Sequence, residues 1–299
     1  MANAIVSLKP SQIIGRVAEL VRMLEEAGLN YDDLQKPISD RKFRRGLVEF
    51  WKSGKQVDPL TTPRRRKVSF GPALRQLSAH HQWVQQAMGQ RFFGIEDWVK
   101  LYGISLSAKQ LEPVAQFPWS EEVLNGPCQF HSDKVVAQTH VAFLGLDRIG
   151  AEALTTMHLH KLNPPTGQPR LYFDTPRECW YREEEFATQV ACSLRWYLLL
   201  AEVVPGSNNK WFADQETMLP AEYEIPLAVE ETAKDLLYIR KSGQYLNSSV
   251  WARCRDTSSG GGRVDVGDGG PRGFGVDYWD DRPDPLIGIA ASRKLPTEP

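Results

Sequence analysis

The sequence lacks a C-x-x-C pair, a nucleophile elbow, a G-x-x-x-x-G-K-[ST] loop and a D-x-[DN]-x-[DN]-G calcium loop. Without them, no local signature points to a zinc ribbon, an acyl-transfer serine, a P-loop nucleotide or an EF-hand cation. Long apolar runs are scarce too. The longest candidate, residues 196–204, is nine residues and carries Glu202, far short of the roughly 20 apolar residues of a membrane span. Residues 1–17 show no signal-peptide core. These features lead us to expect a soluble, cytoplasmic protein with no membrane partner. Cysteine is sparse and scattered (Cys128, Cys179, Cys192, Cys254); a chain of this length needs no disulfides, so free, buried thiols are expected.

What is present is an uneven distribution of charge and of aromatic residues. Residues 1–75 hold 15 Lys and Arg against 8 Asp and Glu, and residues 76–299 hold 21 against 29. A chain with a net charge of −1 therefore joins a basic head to an acidic body. Eight of the nine tryptophans follow residue 75, which places most of the large core-forming side chains in the body.

Periodicity predicts three short helices in the head: residues 11–27 between Ser11 and Gly28, residues 30–35 stopped by Pro37, and residues 41–52 capped by Asp40. Gly54, Pro59, Pro63, Gly71 and Pro72 then break any regular pattern. The expected organisation is a basic helical domain over 1–54, a linker over 55–72 and an α+β domain over 73–299. Helices are predicted at 73–90, 94–102, 107–116 and 120–125, and at 226–241 with a stop at Gly243. Strands are predicted at 134–144, 171–173, 249–255, 263–266, 273–279 and 286–292. Asp268-Gly269-Gly270 reads as a hairpin turn, and 186–204 is either a strand pair or one buried helix. The fold class expected is α+β, a small N-terminal helical bundle followed by a larger α+β domain with a C-terminal antiparallel sheet.

Words along the body resemble a group of uncharacterised bacterial proteins. They are Thr139-His140 with Phe143-Leu144-Gly145, Gly167-Gln168-Pro169-Arg170, Ser193-Leu194-Arg195-Trp196 and Val204-Pro205-Gly206-Ser207. Leu219-Pro220, Glu222-Tyr223-Glu224-Ile225-Pro226, Arg253-Cys254-Arg255-Asp256 and Ser292-Arg293-Lys294 follow in order. The resemblance spans about residues 92–295. It implies one unit there and a bacterial source, and it carries no activity, cofactor or site residue.

Candidate sites are few. Cys128-x-x-His131, His140 and His158-x-His160 offer sulfur and imidazole, the ligands zinc prefers. Ordinary core or surface roles are the simpler reading, because His-x-His diverges on a helix and shares a face only on a strand. Glu183-Glu184-Glu185 and Glu230-Glu231 read as solvated faces. Lys42, Arg44 and Arg45 with Arg64, Arg65, Arg66 and Lys67 could neutralise several phosphates. The preferred expectation is a non-catalytic binding or recruitment protein, without a cofactor, whose head contacts nucleic acid or an acidic protein. One alternative is an enzyme of unknown reaction using the His/Cys set, with or without zinc. The other is a structural or assembly component.

Overall fold

A computed structural model describes residues 79–104, 106, 108–164, 169–172, 179–271 and 273–296. The helical head, the linker and all seven basic candidates (Lys42, Arg44, Arg45, Arg64, Arg65, Arg66, Lys67) lie outside the described residues. The body is α+β.

It begins with α1 (Ala79–Met88), β1 (Phe92–Phe93), α2 (Ile95–Tyr102), α3 (Ala108–Leu111) and α4 (Glu121–Asn125). Next come β2 (Pro127–Cys128), β3 (His131–Val135), α5 (Val136–Thr139), β4 (His140–Leu144), β5 (Arg148–Ile149) and β6 (Glu152–Ala153). The middle holds α6 (Thr156–Leu162), β7 (Leu171–Tyr172), α7 (Glu185–Thr188), β8 (Trp196–Leu200), α8 (Phe212–Thr217), β9 (Tyr223–Glu224) and α9 (Ala228–Ser242). The last fifth is β10 (Trp251–Thr257), β11 (Arg263–Gly270), β12 (Gly273–Trp279), β13 (Ile287–Ile289) and β14 (Ser292–Arg293).

Two five-stranded sheets organise these elements, in the orders β1-β4-β8-β14-β9 and β13-β10-β11-β12-β7. Both are mixed. In the first, β1 runs parallel to β4. In the second, an antiparallel centre (β10, β11, β12) gains a parallel strand on each flank, β13 and β7. The purely antiparallel C-terminal sheet expected from sequence is thus corrected: both added strands arrive through long connections, which permit parallel pairing. The expected turn at Asp268-Gly269-Gly270 is corrected as well. Gly270 pairs with Gly273, so the chain reverses after Gly270, and positive φ at Gly267 (157°) and Asp268 (51°) marks a register shift inside β11.

Two further expectations fail. The β-branched run 134–144 is broken by α5, whose first turn is fixed when Gln138 Oε1 accepts from Val135 N at 3.2 Å. The ambiguous 186–204 is neither a strand pair nor one helix; it holds the end of α7 and the buried strand β8.

Helix α9 lies at the centre. Its N-terminal N–H groups are satisfied by side chains: Glu230 Oε2 accepts from Leu227 N (2.9 Å) and Asp256 Oδ2 from Ala228 N (2.6 Å). Gly243, with φ of 72°, closes the other end. Every residue from Ala228 to Ile239 is buried. The helix packs on β10 and β11 of the second sheet. Lys234 Nζ reaches Leu200 O and Ala201 O of the first sheet's end, and Lys241 Nζ reaches Phe92 O. Glu230 and Glu231, expected on a solvated face, are 3% and 1% exposed. Enclosure on all sides explains it: Glu231 Oε1 accepts from Lys234 Nζ and from Asn247 Nδ2, and Glu230 faces Arg195 at 3.5 Å.

Tryptophan indoles lock distant segments to this frame. Trp98 donates to Leu144 O (2.7 Å), Trp119 to Lys294 O (3.1 Å), Trp180 to Val276 O (2.8 Å) and Trp196 to Val114 O (2.9 Å). Each buries a large ring and still satisfies its N–H. All four cysteines are free and buried. Among the described residues, no helix is long and apolar enough to cross a membrane.

Candidate functional site

The five His and Cys candidates fall into two neighbourhoods. Cys128 and His131 are cross-strand partners of β2 and β3, and His131 is close enough to disfavour a charge on His140. His140 is fully buried, and both of its ring nitrogens have protein partners. Nδ1 lies 3.2 Å from Val136 O, a pure acceptor, so Nδ1 carries the proton. Nε2 then accepts from Tyr223 OH at 3.0 Å, and the same hydroxyl accepts from Arg293 Nη1 at 3.3 Å. Burial holds this imidazole neutral, with its pKa down at about 3. The chain Arg293–Tyr223–His140 ties β14 and β9 to β4. It is a structural network, and it leaves no imidazole lone pair open.

His158 and His160 lie elsewhere, on α6. Residues 158–160 are helical, not extended, yet both side chains border one groove of about 670 Å³ together with Met157, Lys161, Arg182 and Glu152. Thr155 caps the helix, its Oγ1 accepting from His158 N at 3.2 Å. His158 Nδ1 is 3.0 Å from Ala153 O, a pure acceptor, so Nδ1 carries a proton and donates there. His160 is half-buried, and burial, then the nearby Arg182, lowers its pKa. Arg182 comes from the 3-10 turn Trp180–Glu183 and is exposed. Lys161 Nζ pairs with Glu152 Oε2 at 3.0 Å, both ends well in solvent, an arrangement that contributes little to stability.

The reactive groups beside this groove are quiet. The Cys179 thiol sits 3.8 Å from Met157 Sδ, and burial raises its pKa, so it stays protonated. Burial likewise holds the Tyr181 phenol well above its usual value. Thr188 Oγ1 donates to Glu184 O at 2.8 Å. The groove therefore combines two imidazoles, the Lys161–Glu152 ion pair and the Arg182 guanidinium, which is the group in it best matched to an anion. Among the described residues, no group of three or more His, Cys, Asp or Glu is placed to hold a metal ion.

Sequence reasoning named His158 and His160 but missed Lys161 and Arg182. Nothing local could have found Arg182, because a short 3-10 turn and a distant helix are brought together only by the fold. No protein-family model matches the chain, and no curated protein or solved structure matches it.

Proposed function

We propose that the protein is a non-catalytic binding protein whose body takes a phosphate-bearing ligand in the His158–His160–Arg182 groove. The observation supporting this reading is the convergence of His158, His160, Lys161 and Arg182 on one groove beside a thiol and a phenol held protonated. Arginine matches phosphate in a bidentate way, through charge-assisted hydrogen bonds. The His160 imidazole gains its proton most readily when an anion is alongside, so affinity should rise as pH falls.

The test is calorimetric titration of the full chain with phenyl phosphate and with benzoate. Phenyl phosphate should bind saturably and more tightly than benzoate. Arg182→Gln should weaken it about tenfold, the equivalent of one charged hydrogen bond of about 1.5 kcal/mol. Absence of saturable heat with either anion ends this reading.

The charge division of the sequence supports a second contact of the same chemistry. The surplus of positive charge over residues 1–75, concentrated in Lys42, Arg44, Arg45 and the run Arg64, Arg65, Arg66 and Lys67, suits nucleic-acid phosphates. In the full chain, changing those last four residues to Gln should reduce the slope of log affinity against log salt by about three. An unchanged slope removes the run from the interface. Binding to an acidic polypeptide with no binding to DNA or RNA would reassign the partner.

A further inference from the structure

Arg182 and the two histidines reach the groove from different elements. His158 and His160 stand on α6, whereas Arg182 stands on the 3-10 turn Trp180–Glu183. The turn meets α6 through Tyr181, whose ring lies edge-on to His160 with centroids 6.5 Å apart. Where the turn sits therefore decides where the guanidinium sits.

Both ends of this turn are fastened to the second sheet. At its start, Trp180 Nε1 donates to Val276 O of β12 at 2.8 Å, and the indole packs on Tyr278 with centroids 4.8 Å apart. Just past its end, Glu184 grips the tip of the β10–β11 hairpin. Its Oε2 accepts from Ser259 N and its Oε1 from Ser259 Oγ, both at 2.7 Å. A carboxylate that takes two donors of one residue is fixed in orientation as well as in position. The Glu184 carbonyl in turn accepts from Ala187 N and Thr188 N, each at 3.1 Å, and so starts α7. Arg182 lies midway, two residues from each anchor.

The hairpin tip is itself a shaped turn. Ser258 N donates to Gly262 O at 2.8 Å and Gly261 N to Ser258 O at 2.9 Å. Gly261 has φ of 84°, a conformation glycine adopts without steric cost. Gly262 approaches β12 so closely that a Cβ there would fall 2.6 Å from Tyr278 Cδ2. The same Tyr278 carries Trp180, so the tip and both anchors form one connected assembly.

We infer that the 258–262 hairpin tip is a latch on the anion groove: Ser259 holds Glu184, Glu184 holds the turn, and the turn presents Arg182 to the anion. The inference rests on the groove reading above and adds the control of that site. Neither Ser259 nor Glu184 lines the groove. Both are positioning residues, and opening their bond weakens phosphate binding through Arg182.

The test joins phenyl phosphate calorimetry to hydrogen exchange, both on the full chain. Ser259→Ala keeps the N–H bond and loses the hydroxyl bond, so affinity should fall about fourfold. Ser259→Asp sets a second carboxylate against Glu184 and opens both bonds, for a fall of about tenfold. Ser259→Thr restores the hydroxyl and should bind within about 1.5-fold of the unaltered protein. In an Arg182→Gln background all three should agree within about 1.5-fold, because the latch acts through Arg182. Without ligand, the amides of residues 180–188 should exchange faster in Ser259→Ala and Ser259→Asp, and at the unaltered rate in Ser259→Thr. Unchanged affinity or unchanged exchange in Ser259→Ala and Ser259→Asp overturns the latch and leaves the groove standing. Losses that persist in the Arg182→Gln background overturn it too, as effects of charge or of general loosening. No phosphate binding to the unaltered chain overturns both.

Discussion

The two sheets differ in what they enclose. The central strands of the first, His140-Val141-Ala142-Phe143-Leu144 and Trp196-Tyr197-Leu198-Leu199-Leu200, are buried at every position and apolar on both faces. Phe143 and Tyr197 are register partners, stacked with centroids 4.9 Å apart. The second sheet buries Arg253 and Asp265 in its central row and opposes Asp265 to Asp277. The first sheet supplies folding free energy through apolar burial. The second instead buries an ion pair, Arg253 with Asp265, whose desolvation offsets its attraction.

That contrast sets an order of expected effects. Phe143→Ala should be the most damaging, losing about 3–5 kcal/mol by cavity formation, measured as the free energy of urea unfolding. A loss under about 1 kcal/mol would erase the contrast.

Acid should have an effect of similar size, spread over its pH range. His140 titrates at about 3 in the folded protein against an ordinary 6.5. Below pH 6.5 the unfolded chain takes up a proton that the native chain refuses, so stability falls as pH drops from 6.5 towards 3. The full contribution is roughly 4–5 kcal/mol. Urea midpoints across that range should decline in the unaltered protein, and more gently in His140→Gln. An equal slope in both would show that the buried imidazole is not the source.

Smallest of all, Arg182→Gln on an exposed turn should leave the unfolding free energy within about 0.5 kcal/mol of the unaltered value.

Local signals were readable wherever a backbone terminus is closed by its own sequence. Ser120 accepts from Val123 N at the start of α4, Gly243 ends α9 in the left-handed conformation, and β12 spans the expected 273–279. The misses share one cause. Glu230 and Glu231 are buried by elements far along the chain, and Arg182 meets His160 across 22 positions. Each depends on contacts that no window of sequence contains. The candidate site was therefore half legible: two histidines were visible as residue types, while Arg182 is brought to them only by packing.

The most direct test of the account is calorimetry of phenyl phosphate binding to the unaltered chain and to Arg182→Gln under one buffer. One saturable site, about tenfold weaker in Arg182→Gln, is the predicted result. Identical affinity in the unaltered protein and Arg182→Gln, or no binding at all, would contradict it.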